Sequence, residues 1–322
     1  MEVVHRGFDN LDVSYEAQTP KKLADTLEEA KNWCNAHGEQ YAIVKFGEKQ
    51  IKIFAHGISG GYSYVVDTGP MGELWFFKKP NPKDPFGIRV SGKSLPLAIN
   101  GLAMFRDGLD ETLETFGVAS KKNSERISRA DFAVDILKPE FVLNREHFVM
   151  HGRMGHITQF ADESSKFVEA GRSNRVTSVT IGKNPNKQVI VYDKRDEVLS
   201  KRKVEWPEIW NANLQKLGRE PLEMTDASLS RVWRVELRAF KDHLRSPCQI
   251  THWDDLYDRI GNVFSNMAVG VRLAVPSQDT NRSRWANSEI WDVLTKEVHD
   301  DLLEMKSDVD PERVKLVRYE EH

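Results

Sequence analysis

Between Tyr41 and Ser91 the chain passes through five short extended stretches, Tyr41–Phe46, Ile51–Ala55, Tyr62–Asp67, Glu73–Lys78 and Phe86–Ser91, each with Gly or Pro nearby. Runs of this length, rich in β-branched and aromatic residues and bounded by turn residues, read as strands. A strand over Phe8–Ser14 precedes them, and helices flank them. Thr19-Pro20 opens one helix, in which Leu23, Leu27, Ala30 and Cys34 recur at helical spacing and Gly38 is the stop. Ala98, Leu102, Phe105, Leu109, Leu113 and Phe116 form the apolar stripe of another, closed by Gly117.

After the polar stretch Ser120–Glu125 the outline recurs. Arg126–Leu137 reads as a strand, Arg145–His151 as a short helix, and Val176–Ile181 with Gln188–Lys194 as a hairpin. Helices are predicted over Asp196–Lys203, Pro207–Leu217, His252–Val275 and Ser288–Lys306, and a long strand over Leu229–Phe240. The expected class is α+β: a curved, mainly antiparallel sheet with flanking helices, in two pseudo-symmetric halves, although no residue-level repeat is present. The expected divisions are an N-terminal half (1–119), a catalytic half (120–250) and a C-terminal helical segment with an acidic tail (251–322).

Eight Trp and 15 Phe argue against disorder. Cys34 and Cys248 are too few for a disulfide scaffold or zinc cluster. No apolar run of about 18 residues is present, and Met1–Arg6 lacks the apolar stretch of a secretory signal. A cytoplasmic protein with no membrane partner is therefore expected. The net charge of −3 conceals an asymmetry. Residues 288–322 hold eleven acidic and five basic side chains, net −6, which leaves +3 on residues 1–287. The basic residues cluster, most densely at Lys183, Lys187, Lys194, Arg195, Lys201, Arg202 and Lys203. A phosphate-binding groove is compatible with this pattern but composition does not decide it.

Strand alternation sorts the polar residues by face. Arg129, Asp131, Ala133 and Asp135 share one face of their strand; Arg234, Glu236 and Arg238 share one face of theirs; and Tyr192 is paired with Lys194. Carboxylate oxygens suit Mg²⁺ or Mn²⁺. A metal at Asp131 and Glu236 would polarise a phosphoryl oxygen, with Arg129 and Arg234 neutralising developing charge. Tyr192 is a candidate nucleophile on phosphorus. An ordinary Arg–carboxylate ladder is the competing reading of the same strands.

Taken together, Gly7-Phe8-Asp9-Asn10-Leu11-Asp12-Val13-Ser14, Arg129-Ala130-Asp131-Phe132-Ala133-Val134-Asp135, the hairpin from Thr180-Ile181-Gly182 to Val191-Tyr192-Asp193-Lys194, and Arg234-Val235-Glu236-Leu237 resemble the Rep_trans family of replication initiation factors. The order and spacing match over roughly residues 5–245. The resemblance implies metal-dependent nicking and strand transfer on DNA at a replication origin of a rolling-circle plasmid or phage. In that chemistry a tyrosine becomes joined to the 5′ phosphate and a 3′ hydroxyl is freed. It places the tyrosine at Tyr192, assisted by Lys194, Arg129 and Arg234, and the metal carboxylates at Asp131, Glu236 and, less securely aligned, Asp135. Lys183, Lys187, Arg195, Lys201 and Arg238 are the expected DNA contacts, and Mg²⁺ or Mn²⁺ the cofactor. Expected partners are single-stranded or hairpin origin DNA, a host helicase and a second copy of the chain. A relaxase acting at a transfer origin and a catalytically inactive origin-binding protein are the alternatives. Trp75-Phe76-Phe77 reads either as buried strand rings or as a base-stacking platform. Gly57-Ile58-Ser59-Gly60-Gly61 lacks the lysine of a phosphate-binding loop and reads as a plain loop.

Overall fold

The computed structural model describes residues 1–119, 121, 123–150, 167–172, 175–298, 302–307 and 309–320. The chain opens with a long strand, β1 (Glu2–Tyr15), and the helix α1 (Lys21–His37). Gly38, in the left-handed region at φ 69°, ends α1 and donates its N–H to the Cys34 carbonyl, as its sequence position predicts. Strands β2 (Tyr41–Phe46), β3 (Lys49–Phe54), β4 (Tyr62–Asp67), β5 (Leu74–Lys78) and β6 (Ile88–Ser91) follow, then the long helix α2 (Ser94–Thr115). Gly101, at φ 71° and ψ 176°, breaks α2 into two arms, a break that the apolar stripe beginning at Ala98 gives no sign of.

The second half starts with β7 (Glu125–Leu137). Where the sequence predicts a helix over Arg145–His151, a 3₁₀ turn covers Arg145–His147 and a strand, β8 (Phe148–Met150), follows; His151 lies outside the described residues. β9 (Phe167–Arg172), β10 (Arg175–Lys183) and β11 (Lys187–Asp193) lead into α3 (Lys194–Ser200), α4 (Glu205–Lys216) and α5 (Ala227–Ser230). Next come β12 (Val232–Phe240), α6 (Lys241–Arg245), α7 (Trp253–Gly270) and β13 (Val271–Leu273), which pairs with β8. The helices α8 (Glu289–Glu297) and α9 (Pro311–Glu320) end the described chain. α5 and β13 occupy the ends of what reads in sequence as a single strand and a single helix.

Eleven strands form one sheet in the order β2-β3-β4-β5-β6-β1-β7-β12-β11-β10-β9, antiparallel at every pairing. The two longest strands, β1 and β7, lie side by side at its centre. Each is flanked by the last strand of its own half, β6 or β12, and the remaining strands run outward from there. The α+β class and the flanking helices are as expected, and the sheet is not closed.

The two faces of the sheet differ. On one, Leu11, Val13, Phe132, Val134, Val235 and Leu237 pack in a single core that also takes in Leu23 and Leu27 of α1 and Leu256, Ile260 and Phe264 of α7. Trp75 and Phe77 are fully buried in that core and Phe76 is buried in a small neighbouring cluster, so the rings are packing groups. On the other face a second core gathers Val4 and Val232 under Trp206, Ile209 and Trp210 of α4, with Leu95 and Ala98 of α2 and Val314 of α9. The spacing of Trp206, Ile209 and Trp210 presents all three on one side of the helix, and each tryptophan removes about 150–250 Å² from water. This helical cap covers one end of the face, and the charged residues start beneath its tryptophans and run on past it.

Candidate functional site

The pairing of β1, β7, β12 and β11 sets charged residues in rows across the strands. In the first row, Tyr192 lies opposite Arg234, Arg234 opposite Asp135, and Asp135 opposite His5. The next row, Ile190–Glu236–Ala133–Gly7, has two small residues beside the glutamate. The third is Gln188–Arg238–Asp131–Asn10, and the fourth sets Phe240 opposite Arg129 and Arg129 opposite Asp12. Tyrosine, carboxylates and arginines from three strands thus share one face, as alternation predicts.

The first row is buried and charged. Arg234 is fully buried and donates to Asp135 at 2.5 and 2.8 Å and to Asp9 at 2.5 Å. Its guanidinium lies 4.3 Å from the Trp206 ring centroid. Trp210 donates its indole N–H to Asp135 at 2.8 Å, so both Asp135 oxygens are occupied. Burial alone would push Asp9 up, but Arg234 and Lys194 outweigh it and hold the carboxyl down at about 2. Burial opposes the charge of Arg234 as well, and Asp135 and Asp9 overcome it. His5, stacked edge-on against Trp206 at 5.2 Å, is lowered to about 4 by burial and is neutral at pH 7.

Asp193 explains where Lys194 goes. Its side chain accepts from the Asp196 N–H at 3.0 Å and caps α3, so the chain leaves β11 for a helix immediately after Tyr192 and Asp193. Lys194 is therefore the first residue of a helix and not the end of a strand. Its ammonium reaches back to 3.5 Å from the Tyr192 hydroxyl, lies 4.6 Å from the Trp206 ring centroid, and donates to Glu197 at 2.6 Å. Burial and then Arg234 lower the Lys194 pKa. The Tyr192 phenol is pushed well above its ordinary value by burial, with Arg234 pulling down and Glu236 adding to the rise. The resemblance makes Tyr192 a nucleophile; in this conformation the phenol keeps its proton.

In the third and fourth rows carboxylates lie beneath arginines. Asp131 is fully buried and accepts two bonds from Arg129 Nε at 2.9 and 3.0 Å, besides one from Nη2. Arg238 donates to Glu236 at 2.7 Å and lies 3.7 Å from Asp131. Arg129 and Arg238 keep 24% and 29% of their side chains exposed, which makes them the solvent-facing layer of the ladder. Burial pushes Asp131 well above the usual carboxylate range; Arg129 opposes this and the nearby Glu236 adds to it.

For a divalent cation the donor sets differ. Glu236 is buried, and its Oε2 has no hydrogen-bond partner among the described residues, an oxygen free to ligate beside Asp131. Asp135 has no such oxygen. Among the described residues, no group of three or more His, Cys, Asp or Glu is arranged to hold a metal. Both Asp131 oxygens accept from Arg129, so Asp131 would join Glu236 at a hard cation only with that guanidinium displaced and other ligands coming from outside the protein.

The five expected DNA contacts do not form one cluster. Lys183 and Lys187 pair across the β10–β11 hairpin, and alternation sets Lys187 on the face opposite Tyr192. Lys187 is half-buried near Cys248, its pKa lowered by burial. Arg195 tethers α3 to the chain around α5, donating to Ser230 at 2.9 Å and to the Met224 carbonyl at 2.5 Å. Lys201, 62% exposed, pairs with Glu197 at 3.0 Å. Arg238 alone of the five belongs to the ladder.

Asp9, His5, Glu197, Trp206 and Trp210 belong to the site without having been assigned to it. A signal for Asp9 exists in the sequence. Two consecutive polar residues, Asp9-Asn10, interrupt the alternation of a strand, and the β1–β7 register shifts between Phe8 and Asn10, as a bulge that re-aims a side chain would do.

No protein-family model and no curated protein matches the chain. Among solved structures it is similar to a rolling circle replication initiator protein from Geobacillus stearothermophilus, at 12% identity and a TM-score of 0.44, over 95% of this chain and 99% of that chain. Among the described residues no helix is long and apolar enough to cross a membrane.

Proposed function

We propose that this protein nicks and rejoins one strand of origin DNA through Tyr192, starting rolling-circle replication. The observation that carries this reading is the Tyr192 hydroxyl on a sheet face with the Lys194 ammonium at 3.5 Å, Arg234 directly across the ladder and Glu236 one row on. The Tyr192 oxygen bonds to phosphorus while the bond to the 3′ oxygen breaks, giving a 5′-phosphotyrosine and a 3′ hydroxyl. The phenolic proton passes to solvent and the departing 3′ oxygen takes one up, while Lys194 donates to the phenolic oxygen and stabilises the phenolate as it forms. Arg129 and Arg238 line the open side of the ladder and hold the phosphate backbone. Asp131 and Glu236 would hold Mg²⁺ or Mn²⁺, whose contribution when bound is to polarise a phosphoryl oxygen.

The test is incubation of supercoiled DNA bearing the native origin with Mg²⁺, with Mn²⁺, or with chelator. Nicked circles are expected with either metal and not with chelator. Asp131→Asn and Glu236→Gln should each cut cleavage by about a hundredfold or more while leaving duplex binding within a few fold, because the loss falls on the chemical step. Wild-type cleavage by either variant would exclude that carboxylate. Binding without cleavage by the wild-type protein under all conditions would favour the origin-binding alternative.

A second expectation concerns the basic residues. Lys183→Ala should lower the slope of log K against log salt by about one if the hairpin tip touches phosphate. Arg195→Ala should leave that slope unchanged and lower thermal stability, since its bonds tether α3. Equal slopes for Lys183→Ala and wild type would remove the hairpin tip from the DNA path.

A further inference from the structure

We infer that a cleft beside the Tyr192 row binds one or two unpaired nucleotides next to the phosphate that Tyr192 attacks, an inference that rests on the nicking reading. The cleft lies between α2, the start of α4, the β2–β3 hairpin and the β4–β5 loop, and its volume is about 880 Å³. Ligand sites run from about 300 to 1,000 Å³. None of the residues that the sequence assigns to cleavage or DNA contact lines it.

Three contacts join the cleft to the reacting row. Trp206 forms part of its wall, and the same ring lies 4.6 Å from the Lys194 ammonium and 4.3 Å from the Arg234 guanidinium. Ser94, also in the wall, hydrogen-bonds the Asp9 carboxylate that Arg234 holds. Lys203 donates to Glu197 at 2.7 Å, and Glu197 accepts from Lys194 at 2.6 Å. A strand with its scissile phosphate at Tyr192 therefore has this cleft as its neighbour on the N-terminal half of the sheet.

The lining suits a phosphate-linked base. α2 runs the length of the cleft, with Ser94 and Leu95 at the Trp206 end, Met104 and Gly108 beyond the break at Gly101, and Thr112 at Lys49. At the Trp206 end, Lys194, Lys201 and Lys203 share the single carboxylate of Glu197, which leaves a positive surplus there. At the other end Lys49 donates to the neutral Thr112 hydroxyl at 2.8 Å, and the exposed Glu111 carboxylate is 3.9 Å away. Apolar wall comes from Met71, Leu95, Phe105, Trp206 and Met104, the last 57% exposed. Cations of this kind hold phosphates, and rings and apolar side chains receive the face of a base. The wall is built before a ligand arrives, which lowers the ordering cost of binding. Lys93 ties the β4–β5 loop by bonds to Asp67 at 2.6 Å and to the Gly69 carbonyl at 2.9 Å. Glu73, buried at the end of that loop, accepts from Thr68 at 3.1 Å and from the Trp75 indole at 3.3 Å.

The test needs no cleavage. The full chain, in chelator, is titrated into a fluorescent single-stranded DNA of mixed sequence and about 12 nucleotides, and anisotropy gives the affinity. Lys49→Ala should lower the slope of log K against log salt by about 0.7, the value of one phosphate contact on a single strand. Gly108→Trp fills the cleft from a helix position where a Cβ meets no atom within 4 Å, and should weaken binding about tenfold. Circular dichroism and thermal unfolding report whether each variant is folded. Wild type irradiated with the same DNA carrying 5-iododeoxyuridine should be cross-linked on peptides containing Met104 or Trp206, and excess ATP should leave those cross-links in place. An unchanged slope in folded Lys49→Ala overturns the inference, as does unchanged affinity in folded Gly108→Trp. Cross-links confined to other peptides overturn it too, and they decide alone where a variant does not fold. Loss of the Met104 and Trp206 cross-links to ATP would make the cleft a site for free nucleotide instead, which also overturns it. Cleft cross-links without nicking of origin DNA would sink the Tyr192 reading and leave the cleft a DNA site; nicking without cleft cross-links would sink this inference alone.

Discussion

Tyr192→Phe is expected to abolish covalent attachment to a nicked oligonucleotide and to reduce cleavage by at least about a thousandfold, as removal of a nucleophile does. Folding should survive. Among the described residues the hydroxyl has one polar contact, Lys194 at 3.5 Å, the limit of a hydrogen bond, and the ring is retained, so the stability cost stays under about 1 kcal/mol. Wild type should give a DNA-linked band that persists in denaturant, and mass spectrometry should place the nucleotide on the peptide containing Tyr192. The competing tyrosines are poorly placed. Tyr62 and Tyr64 are buried on β4, three strands from β1, and Tyr64 donates to Glu28. Tyr257 lies on α7, whose apolar side packs in the core of the opposite face. An adduct on any of them would remove Tyr192 from the mechanism while leaving the reaction class standing.

The raised phenol pKa bears on that reaction. A half-buried phenol deep in its protonated range is a poor nucleophile, so the site as folded is held back, and the change needed is electrostatic. Glu236 and Asp9 both disfavour the phenolate. A cation drawn to Glu236 and Asp131 would cancel part of that repulsion. The Tyr192 phenol should therefore ionise at lower pH with Mg²⁺ bound than in its absence, as read from the ultraviolet difference between wild type and Tyr192→Phe.

Alternation along single strands was enough to group Arg129 with Asp131, and Arg234 with Glu236, on one face of each strand, because a strand's period is fixed by its backbone. Which residue lies opposite which is set by pairing register, a property of two strands that neither carries alone. That Arg234 meets Asp135 and Asp9, and so leaves Asp131 and Glu236 to Arg129 and Arg238, follows from registers and one bulge. The basic cluster illustrates the opposite error. Lys183, Lys187, Arg195 and Lys201 are close in sequence, but a hairpin sets the first two on one strand pair and the capped turn at Asp193 sends the others onto a helix. Closeness in sequence survives as closeness in space only along a continuous element. A helix over Pro207–Leu217 was legible, but its seat over Val4 depends on contacts about two hundred residues apart.

Replacing Arg234 should have the largest effect on folding. Arg234→Met keeps much of the side-chain volume and the packing against Trp206 but leaves Asp9 and Asp135 in the interior without their cation. Removing one partner of a buried ion pair costs about 3–5 kcal/mol, enough to lower the urea midpoint of a domain of ordinary stability by a large fraction. The pH dependence should change sign. In wild type the folded Asp9 pKa, about 2, lies below its ordinary value of 3.8. Its contribution is therefore complete above pH 4 and is lost as pH falls toward 2. Without Arg234, burial dominates and raises the folded pKa above the unfolded one, so the variant binds protons more readily when folded and should gain stability as pH falls from 7 toward 4. Urea unfolding at pH 7, 5.5 and 4 measures both curves. A triple variant with Asp9→Asn and Asp135→Asn, which removes the stranded charges, should recover much of the loss at pH 7. A variant whose stability falls with pH in parallel with wild type would mean that Arg234 does not set the ionisation of Asp9, and that the first row of the site is held by packing under Trp206 and Trp210.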